Sequence, residues 1–426
     1  MSETVIIGAG ITGISFARHY KKPCVILEKE KKAGGLCATE NTGGYYFDYS
    51  GHFLHLRNSE VKNLITKIMK GNLLTVKRDA RIFSHNALIR YPFQANLYNL
   101  PLEVKRECVL DFVAKPELGK TKHDFYSWLI STFGKGITKY FMRPYNEKLW
   151  TVSCDKLTTE WVAPFVPTPA LSDVITGALT DNDKAFGYNA EFFYPKKGGC
   201  QAFIDALKDG LNNIKYSTEC SRVDIKKRVI ETTDGKTYSF DKLVSTQPLP
   251  KLLEQISDLP ANVALAKDNL DWNKVLNLNL GIKRGKGKAK LASGMNWVYF
   301  PSKDYPFYRA GVYTNAAPQM AQEGRDSLYV EFSRRPGDAI FPQVSAVVAK
   351  LRHCGILDDS DKVETSSWFE MPFAYVIYDS YRTPALRVIK SFLEKNGIYS
   401  IGRYGAWKYS FMEESILDAK KLAREI

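Results

Sequence analysis

The chain has 426 residues, 44% of them hydrophobic, and a formal charge of +14 from 60 lysines and arginines against 46 aspartates and glutamates. That length supports a large core shared by two or three domains. The positive balance favours an anionic ligand, but the basic residues are scattered, which argues against a nucleic-acid partner. Seven cysteines without a C-x-x-C pair support neither a disulfide framework nor a zinc site and fit reduced thiols in the cytoplasm. No apolar run long enough to span a membrane and no basic leader is present, so neither a transmembrane helix nor a signal peptide is expected.

In chain order, ETVIIGAGITGISFARHY predicts a buried strand over Val5 to Ile7, a turn and a helix. Gly8, Gly10 and Gly13 fit G-x-G-x-x-G. The first allows the tight turn, the second lets the backbone approach a pyrophosphate, and the third lets the helix pack on the strand. The helix N-terminus then offers N–H groups and a positive dipole end to phosphates. A second strand, CVILE, ends in Glu28, twenty residues after Gly8, where an acid can hydrogen-bond a ribose hydroxyl. The glycine pair Gly34-Gly35 follows in KKAGGLCAT. A second glycine pair so close to the ribose acid resembles FAD-binding proteins of the amine oxidase and mutase superfamily. The resemblance implies that this loop, with Lys32 and Leu36, serves the FAD phosphates.

FDYSGHFLHL places Gly51-His52 just after a strand, and RDARIFSHNALIRYPF alternates like a strand that ends at Pro92. From about Leu102 to Phe165 the apolar spacing is helical, with a stop expected at Pro144. RVDIKKRVIETTDGKTYSFDKLVSTQP reads as strands around an Asp234-Gly235 turn. From about Asn273 to Glu370, short alternating runs predict an antiparallel sheet. Within it, FYRAGVYTN places Phe307, Arg309, Gly311 and Tyr313 on one face and Tyr308, Ala310 and Val312 on the other. The end of the chain, YSIGRYGAWKYSFMEESILDAKKLA, gives a strand, a glycine turn and a last helix.

RYPFQANL, FMRPYNEKLWTV, GYNAEFFYPKKGG, YFPSKDYPFYRAGVYTN and GRYGAWKY, in that order, resemble the UDP-galactopyranose mutase family, more its eukaryotic-type branch. SFMEES after Tyr409 departs from that branch, towards the short turn of the bacterial one. The resemblance implies an α/β fold: a Rossmann-like FAD-binding domain (1–90, 190–247 and 395–426), a mostly helical insertion domain (91–189) and an antiparallel-sheet substrate domain (248–394). It implies that Gly8, Gly10, Thr12, Gly13, Glu28, Lys32, Gly34, Gly35, Leu36, Gly51, His52, Val223, Arg403 and Met412 hold FAD, with Val223 near the adenine and His52 against the flavin. It further implies that Arg143 and Arg309 clamp a substrate diphosphate. Tyr375 (with Tyr378 and Tyr381 as neighbours that could take its place) and Tyr409 would donate to the same phosphates. Tyr91, Phe93 and Gln94 would hold a uracil or thymine base. Tyr145, Asn189 and Tyr308 would complete the substrate site.

The function so implied is interconversion of the pyranose and furanose forms of a nucleotide-diphosphate sugar, UDP-galactopyranose to UDP-galactofuranose or a close analogue. In that family it proceeds on reduced FAD through a flavin N5–sugar adduct without net redox, with NADPH or NADH as the initial reductant. The partner implied is a nucleotide-diphosphate sugar, and a homo-oligomer is left open. An amine-oxidase-like or desaturase-like oxidoreductase shares the FAD frame and is the competing reading. A flavoprotein that only binds a glycan precursor or a membrane surface is the third.

Overall fold

A computed structural model of the chain describes residues 4–117, 124–163, 165–181, 190–287 and 294–426. Two large sheets organise it. The first has five strands in the order Ile398–Ser400, Lys242–Ser245, Thr4–Ile7, Cys24–Leu27 and Ile214–Lys215, every pairing parallel. Its central strand, TVII, is buried at all four positions, as expected of a parallel sheet covered on both faces. The helix Ile11–His19 packs against the last helix, Met412–Glu425, and against Gly199–Lys208. Segments from both ends of the chain therefore build the half that carries the glycine turn, which is the Rossmann-like arrangement expected from the glycine motif.

The second sheet has seven strands in the order Lys362–Val376, Trp272–Lys283, Arg325–Arg334, Arg309–Val312, Trp297–Tyr299, Ala80–Ser84 and Ala87–Arg90. All its pairings are antiparallel except that of Trp297–Tyr299 with Ala80–Ser84. The last two strands were expected on the FAD side of a boundary at residue 90. Alternation shows that one face of a strand is buried but not against which sheet, and here Ile82 and Ile89 turn into the core beneath the large sheet.

The helices Leu102–Val113, Phe125–Ile137, Arg143–Trp150 and Leu171–Leu179 follow in the chain and pack largely on one another, with Arg143–Trp150 also touching the strand Arg325–Arg334. Pro144 does not stop the helical run. A π-turn over Thr138–Met142 leads directly into the helix Arg143–Trp150, with Pro144 in its first turn, where a missing N–H costs no hydrogen bond.

The strand around Arg309 is shorter than its alternation suggests. It spans Arg309–Val312, and Tyr313 already begins a short helix. The residues before it belong to a hairpin loop, so Phe307 packs with Ala310 and Val312 rather than beside Arg309. No described helix is long and apolar enough to cross a membrane.

Candidate active site

The glycine turn has the geometry its spacing predicts. A Cβ on Gly13 would lie 2.0 Å from the carbonyl oxygen of Gly8, so only glycine lets the helix sit this close to the strand. A Cβ on Gly10 would meet nothing within 4 Å. The backbone therefore faces open space at the N-terminus of the helix Ile11–His19, where a pyrophosphate can approach. The second glycine pair comes to the same place: Gly34 N donates to Ala9 O at 3.0 Å, and Gly10 and Gly34 form a parallel bridge. Thr12 lies against the C-terminal GRYG turn, since a Cβ on Gly402 would be 2.4 Å from its hydroxyl.

Glu28 is 5% exposed and accepts the N–H of Ala9 at 2.7 Å and of Glu30 at 2.8 Å. Burial raises its pKa, opposed by these two hydrogen bonds. Its carboxylate thus braces the turn as well as lying where a ribose acid belongs. Leu36 packs on the core beside this loop, and Met412 Sδ meets Cys37 Sγ at 3.5 Å. Lys32 instead bonds Thr39 O at 3.0 Å and Glu40 at 2.7 Å. Val223 is fully buried and its carbonyl accepts Ser257 N–H, so its side chain serves the core. The described residues form no cluster able to hold a metal ion.

His52 connects the glycine-turn half to a cluster of charged and phenolic groups. Burial lowers its pKa to about 4, so the ring is neutral. The Leu36 backbone hydrogen-bonds the ring, while Nδ1 is buried without a partner among the described residues. Glu331, Arg403 and Arg309 are the charges that act on it.

Arg309 is the centre of that cluster. Its Nε and Nη2 fork onto Glu331, with Nη2 to Oε1 at 2.9 Å, and Nη2 reaches Ser50 Oγ at 3.3 Å. Glu331 has no exposure and also accepts Ser50 O–H at 2.5 Å. Burial pushes the Glu331 carboxyl up, but Arg309, Ser50 and Tyr308 more than offset this and hold it below the usual carboxylate range. Nη1 of Arg309 has no partner among the described residues.

Aromatic rings surround the pair. The Arg309 guanidinium lies 5.9 Å from the Tyr308 ring and 5.8 Å from that of Tyr329. Tyr308 meets Tyr375 edge-on, and Tyr375 lies 5.8 Å from Tyr409. Arg403 sits 4.9 Å from the Tyr409 ring and 5.4 Å from that of Tyr375, its guanidinium tied to the carbonyls of Ser410 and Ala374. Tyr145 contacts Tyr299 at 5.2 Å, and Tyr91 contacts Tyr299 at 5.5 Å. Burial raises the pKa of Tyr145 and Tyr375, keeping both phenols protonated as donors. The fold thus gathers His52, Tyr145, Tyr308, Arg309, Tyr375, Arg403 and Tyr409 from segments far apart in the chain.

Other expected residues lie elsewhere. Arg143 is half exposed, bonds Glu147 at 2.9 Å and lies 5.2 Å from the Tyr126 ring. It shares the helix of Tyr145 but, two positions earlier, points away from it. Phe93 is fully buried and stacks on Phe141, a core role rather than a base-stacking one. Gln94 is 1% exposed and donates to Pro167 O at 2.6 Å. Of that trio only Tyr91 reaches the cluster. Asn189 lies outside the described residues. The sequence reading missed Ser50, Tyr299 and Glu331. Glu331 carried a signal, being an acid in the otherwise apolar stretch LYVEF of its strand.

The family model for flavin-containing amine oxidoreductases matches residues 11–426. Among solved structures, a reduced UDP-galactopyranose mutase superposes with a TM-score of 0.93 at 25% identity, covering 100% of this chain and 93% of that one. An Exiguobacterium sp. 255-15 protein assigned as a protoporphyrinogen oxidase follows at a TM-score of 0.76 and 17% identity, with coverage of 100% and 98%. A fatty acid isomerase from P. acnes shares the fold at a TM-score of 0.66 and 13% identity, with coverage of 100% and 98%.

Proposed function

From the premise that this chain belongs to the flavin-containing amine oxidoreductase family and has the fold of UDP-galactopyranose mutase, we propose that it binds FAD and interconverts pyranose and furanose forms of a nucleotide-diphosphate sugar. UDP-galactopyranose and UDP-galactofuranose, or a close analogue, are the substrate pair. The observation that carries this reading is Arg309: a largely but not fully buried guanidinium with one edge neutralised by Glu331 and Nη1 left over, ringed by phenols.

A diphosphate entering this cluster needs charged donors, because burying it without partners is prohibitive. The Nη1 edge of Arg309 supplies one, contributing about 1.5–3 kcal/mol as a charge-assisted bond. Tyr375 and Tyr409 supply neutral donors beside it. The same groups stabilise charge that builds on the diphosphate as its bond to the sugar breaks. The open face of Gly10, the positive-φ turn at Gly8 and the Gly34–Gly35 loop fit the pyrophosphate of FAD, and neutral His52 would lie against its ring system. Reduced flavin, when bound, supplies the nucleophile for the anomeric carbon, and NADPH or NADH is the proposed reductant. The phenols and guanidinium orient the sugar nucleotide and exclude water from it.

The test is incubation of the anaerobically reduced protein with UDP-, dTDP- and GDP-sugars. Many turnovers to a furanose product without further reductant are expected. One reductant oxidised per product, or oxygen consumption with an amine or polyene, would replace this reading with net oxidoreductase chemistry.

A further inference from the structure

Lys148 lies on the helix Arg143–Trp150, three residues after Tyr145 and therefore on the same face. Its ammonium reaches into the hairpin loop that joins the strands Trp297–Tyr299 and Arg309–Val312. There it donates to four carbonyl oxygens of a single segment: Phe300 at 2.7 Å, Tyr305 at 2.9 Å, Phe307 at 3.4 Å, and Ser302. The neck of the loop is closed by Phe300 N–H on Tyr308 O at 2.9 Å, and Tyr308 N–H then bonds Glu331 O at 3.0 Å. Carbonyl dipoles aimed at one point repel one another unless a cation lies between them. An ammonium brings three donors and the required charge. Burial pulls its pKa down to about 7, opposed by Asp304 within the loop itself, and the four converging carbonyls favour its charged form. Outside the loop, Lys350 lies 5.6 Å from the Tyr305 ring and His353 6.3 Å from it, and the Cys354 thiol acts on the same tyrosine.

We propose that Lys148 is a positioning residue: it plugs the Phe300–Phe307 loop and thereby sets Tyr299, Tyr308 and Arg309, which flank that loop, in the geometry that receives the ligand. The shape of the anion-binding edge is then fixed from the helical part of the chain, through main-chain carbonyls. An apolar side chain at 148 leaves the four carbonyls without a cation, the loop opens, and Arg309 loses its orientation while keeping its charge. The inference rests on the proposed nucleotide-sugar site for its functional half. Its structural half stands apart from that site.

The experiment compares wild type with Lys148→Met and Lys148→Ala, each purified with bound FAD. Hydrogen exchange of amides 299–309 and the Kd for UDP are measured with and without ethylammonium. Lys148→Met is expected to keep the wild-type FAD content, to speed exchange across the hairpin, and to weaken UDP binding by about tenfold to a hundredfold. Ethylammonium is expected to restore protection and affinity together in Lys148→Ala and to do nothing to wild type. Unchanged hairpin exchange in both variants overturns the proposal. So does faster exchange with unchanged UDP binding, which would leave Lys148 a merely structural lysine. If wild type itself does not bind UDP, the proposed function fails separately. Ethylammonium-dependent protection of the hairpin then still decides whether Lys148 holds the loop.

Discussion

Arg309 and Glu331 stand opposite each other on adjacent antiparallel strands, and the guanidinium forks over a carboxylate that has no solvent exposure. The inward direction of this arginine is set first by a partner within the chain, and only its remaining edge is available to a ligand.

Removing Arg309 therefore has two consequences. Arg309→Ala leaves Glu331 buried and unpaired, and is expected to cost about 3–5 kcal/mol of stability in urea unfolding. Arg309→Met combined with Glu331→Gln should recover most of that loss, because no buried charge is left over. UDP affinity, measured by calorimetry, should stay weak in both. Recovery of UDP binding in the double variant would show that Arg309 does not meet the anion.

The pair also predicts an acid limb. The folded carboxyl of Glu331 lies below its ordinary value of 4.5, so as pH falls the unfolded chain takes up the proton first. The stabilising contribution is complete above about 4.5 and is lost as pH falls through the lower folded value. The Arg309→Met/Glu331→Gln variant should lose less stability than wild type across that window in pH-dependent thermal melts.

His55 gives a second, separable limb. Burial lowers its pKa to about 4, against 6.5 when free. Between these values the unfolded chain binds more protons, so stability falls as pH drops from about 6.5 towards about 4. His55→Gln should remove close to one proton from the slope of stability against pH. An unchanged slope would show that the ring is already charged in the folded protein.

Tyr329 carries a buried hydroxyl with no partner among the described residues. A Cβ on Gly51 would lie 2.4 Å from that hydroxyl, and one on Gly311 2.3 Å from the same ring. Tyr329→Phe is expected to be neutral or to raise stability by up to about 1 kcal/mol, since it removes an unsatisfied group. Gly311→Ala should be strongly destabilising, and thermal melts distinguish the two. A large loss in Tyr329→Phe would reveal a partner for the hydroxyl.

Gly10 and Gly13 should separate binding from folding. Gly10→Ala places a methyl in open space and should fold normally, yet retain less FAD after desalting, read from visible flavin absorbance. Gly13→Ala drives a methyl into the Gly8 carbonyl and should lose stability as well. Full FAD retention in Gly10→Ala would move the pyrophosphate away from this turn.

Much of this was legible in the chain. Gly8, Gly10, Gly13 and Glu28 are read by local spacing, because strand, turn and helix N-terminus are consecutive and their geometry depends on near neighbours. The resemblance carried His52, Arg309, Arg403, Tyr375 and Tyr409 to one site, and the fold brings them together. Phe93 and Arg143 went the other way: each has the residue type of a binding group, but its direction is set by helix phase and core packing. Phe93 became core and Arg143 turned to Glu147.

The sequence by itself determined the nucleotide turn, the order of elements and the pool of arginines and tyrosines, since these follow from short-range periodicity and turn chemistry. Only the tertiary structure decided which strands extend the large sheet, that Glu331 and not a ligand takes the first edge of Arg309, and that Lys148 fills the hairpin behind it. These are pairings across 22 and more than 150 residues of chain. Their registers come from which faces can be buried together, and no local pattern records that.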